Sequence, residues 1–429
     1  MNVVLKKVDL SKTRQISAPE RRPRTIAEVG VRESLLEDIA LKALYLSGPF
    51  TVVDLAEQTR LGFDVAEQIF NRLRSKLLCE VAGMTGNVPR IAISSHGRTQ
   101  ALEVLAQNQY SGAMPVSLES YVAQVRRQSV RNVDIGPQDV ERAFAHLVFD
   151  DELLSQFGMA LNSGAAVFLY GPPGVGKTAA AETLSRVLAE DCVWIPYAVE
   201  AGGQIISVYD PVIHVAVEDY ASDDQDRRWV KCRRPTVMVG GELTAEMLDL
   251  QFNPVSKYYD GPPQMKANNG VLIIDDFGRQ RIPPDELLNR WVVPLDRRIE
   301  FLSLIGGRKI EIPFEMLVVF ATNKDPGSML EPAFMRRIQT KIRIGPASDE
   351  QFCEIFRRVA AEYGCTVDQD VLDELISVIR DTLRQELRSC YPRDLVDQIR
   401  WKARYEGRKL SLDRRSLMRA VNTYFLQAV

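Results

Sequence analysis

At 429 residues, with 45% hydrophobic and 26% charged residues, the chain is long enough for roughly two or three domains, each with its own core. No window approaches the ~18 uninterrupted apolar residues of a membrane span, and Met1 to Lys12 lack the apolar block of a signal peptide, so a cytoplasmic protein without direct membrane insertion is expected. A net charge of -3 excludes a bulk basic coat, and six scattered cysteines without a CxxC pair predict reduced thiols rather than structural zinc.

Residues 1–30 open with a basic stretch: residues 1–24 carry a net charge of +5 and little apolar periodicity, which predicts a flexible tail used for solubility, docking or nucleic-acid contact. Residues 31–110 predict a compact module. "ESLLEDIALKALYLSG" puts Leu35, Leu36, Ile39, Ala43 and Leu44 on one helical face and stops at Gly48. Thr51 and Asp54 form a capping-box start to a second helix, and a third, "FDVAEQIFNRLRSKLL", turns Phe63, Ile69, Phe70 and Leu73 to one side. "LLCEVAG" and "PRIAIS", joined by "MTGN", predict a two-stranded ribbon, and "SSHGRTQALEVLAQN" a closing helix. That order resembles a winged helix-turn-helix. Its net charge of -1 is poor for gripping duplex DNA, which favours protein docking or regulation over DNA reading.

The polar run 111–135 is expected to be a linker. From residue 136 to about 345 apolar strands alternate with helices, the mark of an α/β domain with a parallel sheet. After that only helical periodicity recurs, predicting an all-α segment over 346–429. Between "CVWIPYA", expected as the sheet's second strand, and "VLIIDD" lies an insertion at about 203–268. Its Phe252, Tyr258 and Tyr259 are candidates for gripping a threaded polymer or, more plainly, for a local core.

The chemistry concentrates in three stretches. "AAVFLYGPPGVGKTAAAETLSRVL" fits GxxxxGK[ST] at Gly171, Gly176, Lys177 and Thr178, with an apolar strand before it and an amphipathic helix after it. Pro172, Pro173, Gly174, Val175 and Ala179 complete the loop and its exit. Glycines permit the tight turn that aims backbone N–H groups at phosphate, and the helix N-terminus adds partial positive charge. Lys177 would neutralise the β and γ phosphates, and Thr178 would offer a hydroxyl to Mg²⁺. "VLIIDD" then places Asp275 and Asp276 at the carboxyl end of a central strand, where ligands of such sheets bind. Asp275 would hold the metal, mainly through water, and Asp276 would polarise the attacking water. "LVVFATN" ends a second apolar strand at Asn323, which would orient the same water.

Those motifs, followed in order by "EPAFMRRIQTKI" and "YPRDLVDQIR", resemble an AAA+ ATPase over residues 136–429, about two thirds of the chain. The resemblance implies a P-loop NTPase core with an all-α lid, ATP and Mg²⁺ as cofactors, and a ring-shaped homo-oligomer, usually of six. It implies that Arg337, with Arg336 as rival or helper, is an arginine finger reaching a neighbour's nucleotide. It also implies that Arg393 is the sensor-2 residue, with an ion pair to Asp394 as the alternative, and that Ile135 and Gly136 border the adenine. "ANNGVLIIDD" and the hairpin-like stretch before "LVVFATN" are similar to the MoxR-like and magnesium-chelatase-like branch and to enhancer-binding activators, whose GAFTGA loop is absent. Where the family more often has glutamate, position 276 is aspartate, as in replication-initiator and helicase-loader relatives. Asp is shorter by about 1.5 Å, and a displacement on the order of 1 Å can cost ~100-fold in rate.

Three functions follow as expectations: a Mg-dependent ATPase that remodels a protein client, with the N-terminal module for docking; a DNA-directed motor, loader or regulator; and an ATP-switched assembly scaffold with slow hydrolysis.

Overall fold

The computed structural model describes residues 19, 21–86, 88–189, 191–217 and 224–425. Most of the basic tail and residues 218–223 of the insertion therefore lie outside the described residues. The fold is mixed α/β with a five-stranded parallel sheet. In sheet order the strands are Thr236–Val239, Val271–Ile274, Leu317–Thr322, Val167–Tyr170 and Thr340–Arg343. Among the described residues no helix is long and apolar enough to cross a membrane.

The chain forms two compact units that interleave in sequence. One comprises Met1–Val133, Leu188–Leu272 and Glu286–Leu317; the other comprises Asp134–Val187, Ile273–Asp285 and Val318–Val429. The consecutive blocks expected from composition do not describe this division, because core residues far apart in sequence bury one another.

In the first unit the helix Glu33–Ser47 buries Leu35, Leu36, Ile39, Ala43 and Leu44, and Gly48, at φ 75°, ends it. Thr51 caps the helix Val52–Thr59: its Oγ1 accepts from Asp54 N at 3.2 Å while its own N donates to Asp54 Oδ2 at 2.8 Å. In the helix Phe63–Ser75, Ile69, Phe70 and Leu73 are buried as expected, but Phe63, at its first position, is 39% exposed. The strands Cys79–Thr85 and Val88–Ile93 pair antiparallel, and Phe50–Thr51 joins their sheet. The helix Ser95–Gln107 follows, capped by Ser94.

Residues 111–135 are not a linker. They hold a strand at Val116–Ser117, paired with Ala198–Ala201, and a helix at Leu118–Arg127. Val116, Tyr121 and Val125 are buried in one cluster with Val193, Trp194, Leu302 and Ile310. Four of the polar letters that suggested a linker, Ser117, Gln124, Gln128 and Ser129, are themselves buried, and Gln128 donates to Trp194 O at 2.8 Å and accepts from Trp194 N at 2.9 Å.

"CVWIPYA" also departs from expectation. Cys192–Pro196 pairs antiparallel with Trp229–Arg233 in a separate two-stranded sheet, and Thr236–Val239 is the strand beside Val271–Ile274. The insertion aromatics are core-forming: Tyr259 is buried, its hydroxyl accepts from Ile305 N at 2.7 Å, and its ring packs on Phe252. Tyr258 meets Tyr110 edge-on at 5.5 Å.

In the second unit, Val167–Tyr170 pairs in parallel with Leu317–Thr322 on one side and Thr340–Arg343 on the other. All of Val271–Ile274 and Leu317–Thr322 is buried, as expected for central strands covered on both faces. The C-terminal segment is all-helical: Asp349–Glu362, Gln369–Ser377 with a π-helical extension to Thr382, Tyr391–Tyr405 and Arg414–Tyr424. Phe352, Phe356, Leu372, Leu375, Leu395, Val396 and Leu417 form its core.

Candidate active site

The segment joining Val167–Tyr170 to the helix Lys177–Leu188 has the conformation that its glycines permit. Gly171 has φ 146°, and a Cβ there would lie 2.0 Å from Ile344 O. Gly174 has φ 79°, and its Cβ would lie 2.6 Å from Cys390 Sγ. Both positions need glycine for space as well as for backbone conformation. Lys177, only 7% exposed, turns back over the loop, its Nζ donating to Gly171 O at 3.0 Å and Pro172 O at 2.6 Å. Burial pulls the Lys177 pKa below the usual lysine value, and the Asp275 and Asp276 carboxylates partly oppose that shift.

After the buried strand Val271–Ile274, Asp275 is half-buried and Asp276 exposed. Asp275 Oδ2 accepts from Thr178 Oγ1 at 2.9 Å, and its Oδ1 accepts from Asp276 N at 2.9 Å. Asp276 has φ 50°, in the left-handed region, so the chain turns sharply between the two carboxylates. Asn323 Nδ2 donates to Asp276 Oδ1 at 2.9 Å. Thus Thr178 is tied to the first aspartate and Asn323 to the second, each from its own strand-to-helix or strand-to-turn junction.

Two further residues hold this turn, and the motif patterns do not mark them. Phe277 is buried against Phe168 and Phe320, its N donates to Ala321 O at 2.7 Å, and its O accepts from Thr322 Oγ1 at 2.8 Å. Gln280 Nε2 donates to Asp275 O at 2.7 Å and its Oε1 accepts from Gly278 N at 2.8 Å. The sequence signal for Phe277 was present: an apolar residue directly after two carboxylates, at the point where a strand should have ended.

Loop, aspartates and Asn323 open onto one cavity of about 560 Å³. Pro173, Gly174, Val175, Gly176, Lys177, Thr178 and Ala179 line it, together with Asp275, Asp276 and Asn323. Leu147, Val148, Phe149, Ile355 and Val359 give an apolar wall, and Arg358, Glu362 and Arg393 a charged edge. His146 also borders it, with a pKa lowered by burial. Cys390 N donates to Gly174 O at 3.0 Å, and burial raises the pKa of its thiol.

The remaining expected site residues divide. Arg393 is on the cavity wall and bonds to Glu362, while Asp394, its expected alternative partner, accepts from Tyr424 OH at 2.7 Å. Arg336 and Arg337 follow the short helix Pro332–Met335 and are not part of the wall; the Arg337 guanidinium lies 5.7 Å from the Phe334 ring centroid. Ile135 and Gly136 are not wall residues either. Ile135 exchanges two hydrogen bonds with the Asn162 side chain, and Gly136 N donates to Asp139 Oδ2 at the start of the helix Pro137–Phe144. The apolar wall comes instead from Leu147–Phe149, eleven residues and more downstream of Gly136.

A family model described as a domain of unknown function (DUF8689) matches residues 348–423, the helical segment that supplies Glu362 and Arg393. No curated protein matches the chain. Among solved structures, the fold is similar to the RuvB Holliday junction branch migration motor of Thermotoga maritima at 14% identity and TM-score 0.37, over 64% of this chain and 70% of that one. It is similar to NtrX from Brucella abortus in complex with ADP at 13% identity and TM-score 0.41, over 78% and 67%. A third is domain III of the Thermotoga maritima replication initiation protein DnaA, at 13% identity and TM-score 0.35, over 70% and 98%. All three are distant likenesses.

Proposed function

We propose that the second unit binds Mg-ATP and hydrolyses it, as an ATPase of AAA+ type. One observation carries the reading: Lys177, the Thr178–Asp275 pair and the Asp276–Asn323 pair line a single cavity that also has apolar lining. The chain's own geometry fits a phosphate there. Lys177 is a buried ammonium held by two backbone carbonyls, the helix N-terminus adds positive potential, and the loop glycines leave no side chain between backbone and ligand. Thr178 and Asp275 would hold Mg²⁺, which when bound neutralises the phosphate charge. Asp276, exposed to the cavity and fixed by Asn323, would accept a proton from the attacking water. Leu147–Phe149 with Ile355 and Val359 would take the base, in place of Ile135 and Gly136.

The assembly reading extends this. Arg336 and Arg337 do not line the cavity of their own chain, which is compatible with residues acting on a neighbour's nucleotide in a ring. The client is proposed to be a protein, docked by the first unit. The balance of charge favours this over DNA: residues 31–110 carry a net charge of -1, and Arg72 and Lys76 share the buried Glu37 carboxylate.

Nucleotide binding and phosphate release, measured with Mg²⁺ on the full chain, test the core of the proposal. Lys177→Ala should weaken ATP binding by about 100-fold or more, and Asp276→Asn should keep binding but lose about 100-fold or more in turnover. A wild-type chain that neither binds nor turns over ATP, or an Asp276→Asn variant as active as wild type, would refute it.

A further inference from the structure

Arg393 is in the first turn of the helix Tyr391–Tyr405, and Glu362 is the last residue of the helix Asp349–Glu362. Each charge stands at the helix end whose dipole disfavours it, a cation at a positive N-terminus and a carboxylate at a negative C-terminus. Neither helix is stabilised by its own member of the pair, so helix stability does not account for the placement. The two side chains satisfy one another through a parallel fork, NH1 to Oε2 at 3.0 Å and NH2 to Oε1 at 2.8 Å.

That fork has the geometry by which a guanidinium takes a phosphate. It is also accessible: the side chains are 49% and 51% exposed, and both border the cavity that contains Lys177. A pair so exposed favours the bonded arrangement by no more than about five-fold, which an anion can overcome. The other wall arginine differs. Arg358 donates to Glu354 at 2.7 Å and to the backbone oxygen of Ala145 at 2.7 Å, a partner that no side-chain rotation can withdraw. Of the two, Arg393 is the one whose partner an incoming phosphate can replace like for like.

We infer that Glu362 competes with the terminal phosphate of the nucleotide for the Arg393 guanidinium, and so sets how strongly the site distinguishes triphosphate from diphosphate. Glu362 is a positioning residue that acts through Arg393, and the inference rests on the Mg-ATP reading of the cavity. When Arg393 bonds Glu362, triphosphate and diphosphate are held by the rest of the cavity without it. When phosphate displaces Glu362, the triphosphate gains a contact that the diphosphate is too short to make.

The test compares dissociation constants of the full chain for Mg-ATPγS and Mg-ADP in wild type, Glu362→Gln, Glu362→Ala, Arg393→Ala and the Glu362→Gln/Arg393→Ala double variant. The ratio of the ADP to the ATPγS constant should rise about two- to five-fold in both Glu362 variants. It should fall in Arg393→Ala, and the double variant should match Arg393→Ala. A merely structural role for Glu362 would shift both constants together and leave the ratio unchanged, which overturns the inference. So would an equal rise in the Arg393→Ala background. If wild type binds neither nucleotide, or binds without dependence on Lys177, the ATP reading fails and takes this inference with it. Lys177-dependent binding with a ratio unmoved by Glu362→Gln overturns the inference alone.

Discussion

The two units use the same polar residue types in opposite ways. In the first, Arg228 and Asp226 are 5% and 4% exposed, and the guanidinium also donates to Val29 O at 2.8 Å and Pro115 O at 3.2 Å. Arg234, likewise buried, donates to Gln128 O at 2.9 Å and Asn269 O at 2.7 Å. In the second, Thr178, Asp275, Asp276 and Asn323 bond mainly side chain to side chain at the edge of a cavity. A backbone carbonyl buried in a core cannot be exchanged without local unfolding, whereas a half-exposed side-chain partner can be traded for a ligand. The first network therefore fixes shape and the second is available for chemistry.

The sharpest way to break that contrast is Arg228→Ala. It leaves Asp226 buried without its guanidinium and orphans two backbone oxygens, so a loss of about 3–5 kcal/mol is expected. Urea unfolding followed by tryptophan fluorescence measures it, Trp229 being adjacent in sequence and buried. A loss under about 1 kcal/mol would mean that this pair is no more structural than an exposed one.

How much of the site was legible depends on whether the chemistry is local in sequence. The loop Gly171–Thr178 was readable because its glycines, lysine and threonine serve a single turn between strand and helix. Asp275, Asp276 and Asn323 were readable because buried parallel strands are apolar runs, and a polar residue at the carboxyl end of one stands out. Arg393 was marked by its motif, but its partner was not: Glu362 lies thirty-one residues upstream on another helix, and nothing local pairs them. The apolar wall at Leu147–Phe149 was missed for the same reason. The assignment of 111–135 as a linker failed on composition, since Gln124, Gln128 and Ser129 look like solvent-facing letters yet are buried. Polarity signals exposure only when no backbone partner waits in the core.

Glu300 probes the structural network through pH. Burial raises its pKa to about 7 from an ordinary 4.5, and Arg290 only partly opposes this. Its Oε1 accepts from Gln264 Nε2 at 3.2 Å, while Oε2 has no hydrogen-bond partner among the described residues. Because the folded pKa exceeds the unfolded one, the folded state binds the extra proton between those values. The associated stability is full below about pH 4.5 and is lost as pH rises through about 7. Glu300→Gln should remove that slope, gaining on the order of 1–3 kcal/mol relative to wild type between pH 5 and pH 8. Parallel unfolding curves for the two proteins across that range would show instead that Glu300 stays ionised beside Arg290.

The smallest expected effect is the most telling for the second unit. Asp276→Asn removes one of two adjacent carboxylates and keeps an oxygen to accept from Asn323 Nδ2. Position 276 has φ 50°, a conformation in which asparagine is at least as comfortable as aspartate. The strand before it is anchored by Phe277, Gln280 and Thr322, none of which the substitution touches. Stability should therefore change by less than about 0.5 kcal/mol in either direction, measured by the same urea unfolding, while the proposed role predicts that turnover is lost. A loss above about 1 kcal/mol would place Asp276 with Arg228, as a residue that holds the fold. A neutral result together with lost turnover would separate the role proposed for the Asp276 carboxylate from any part in holding the fold.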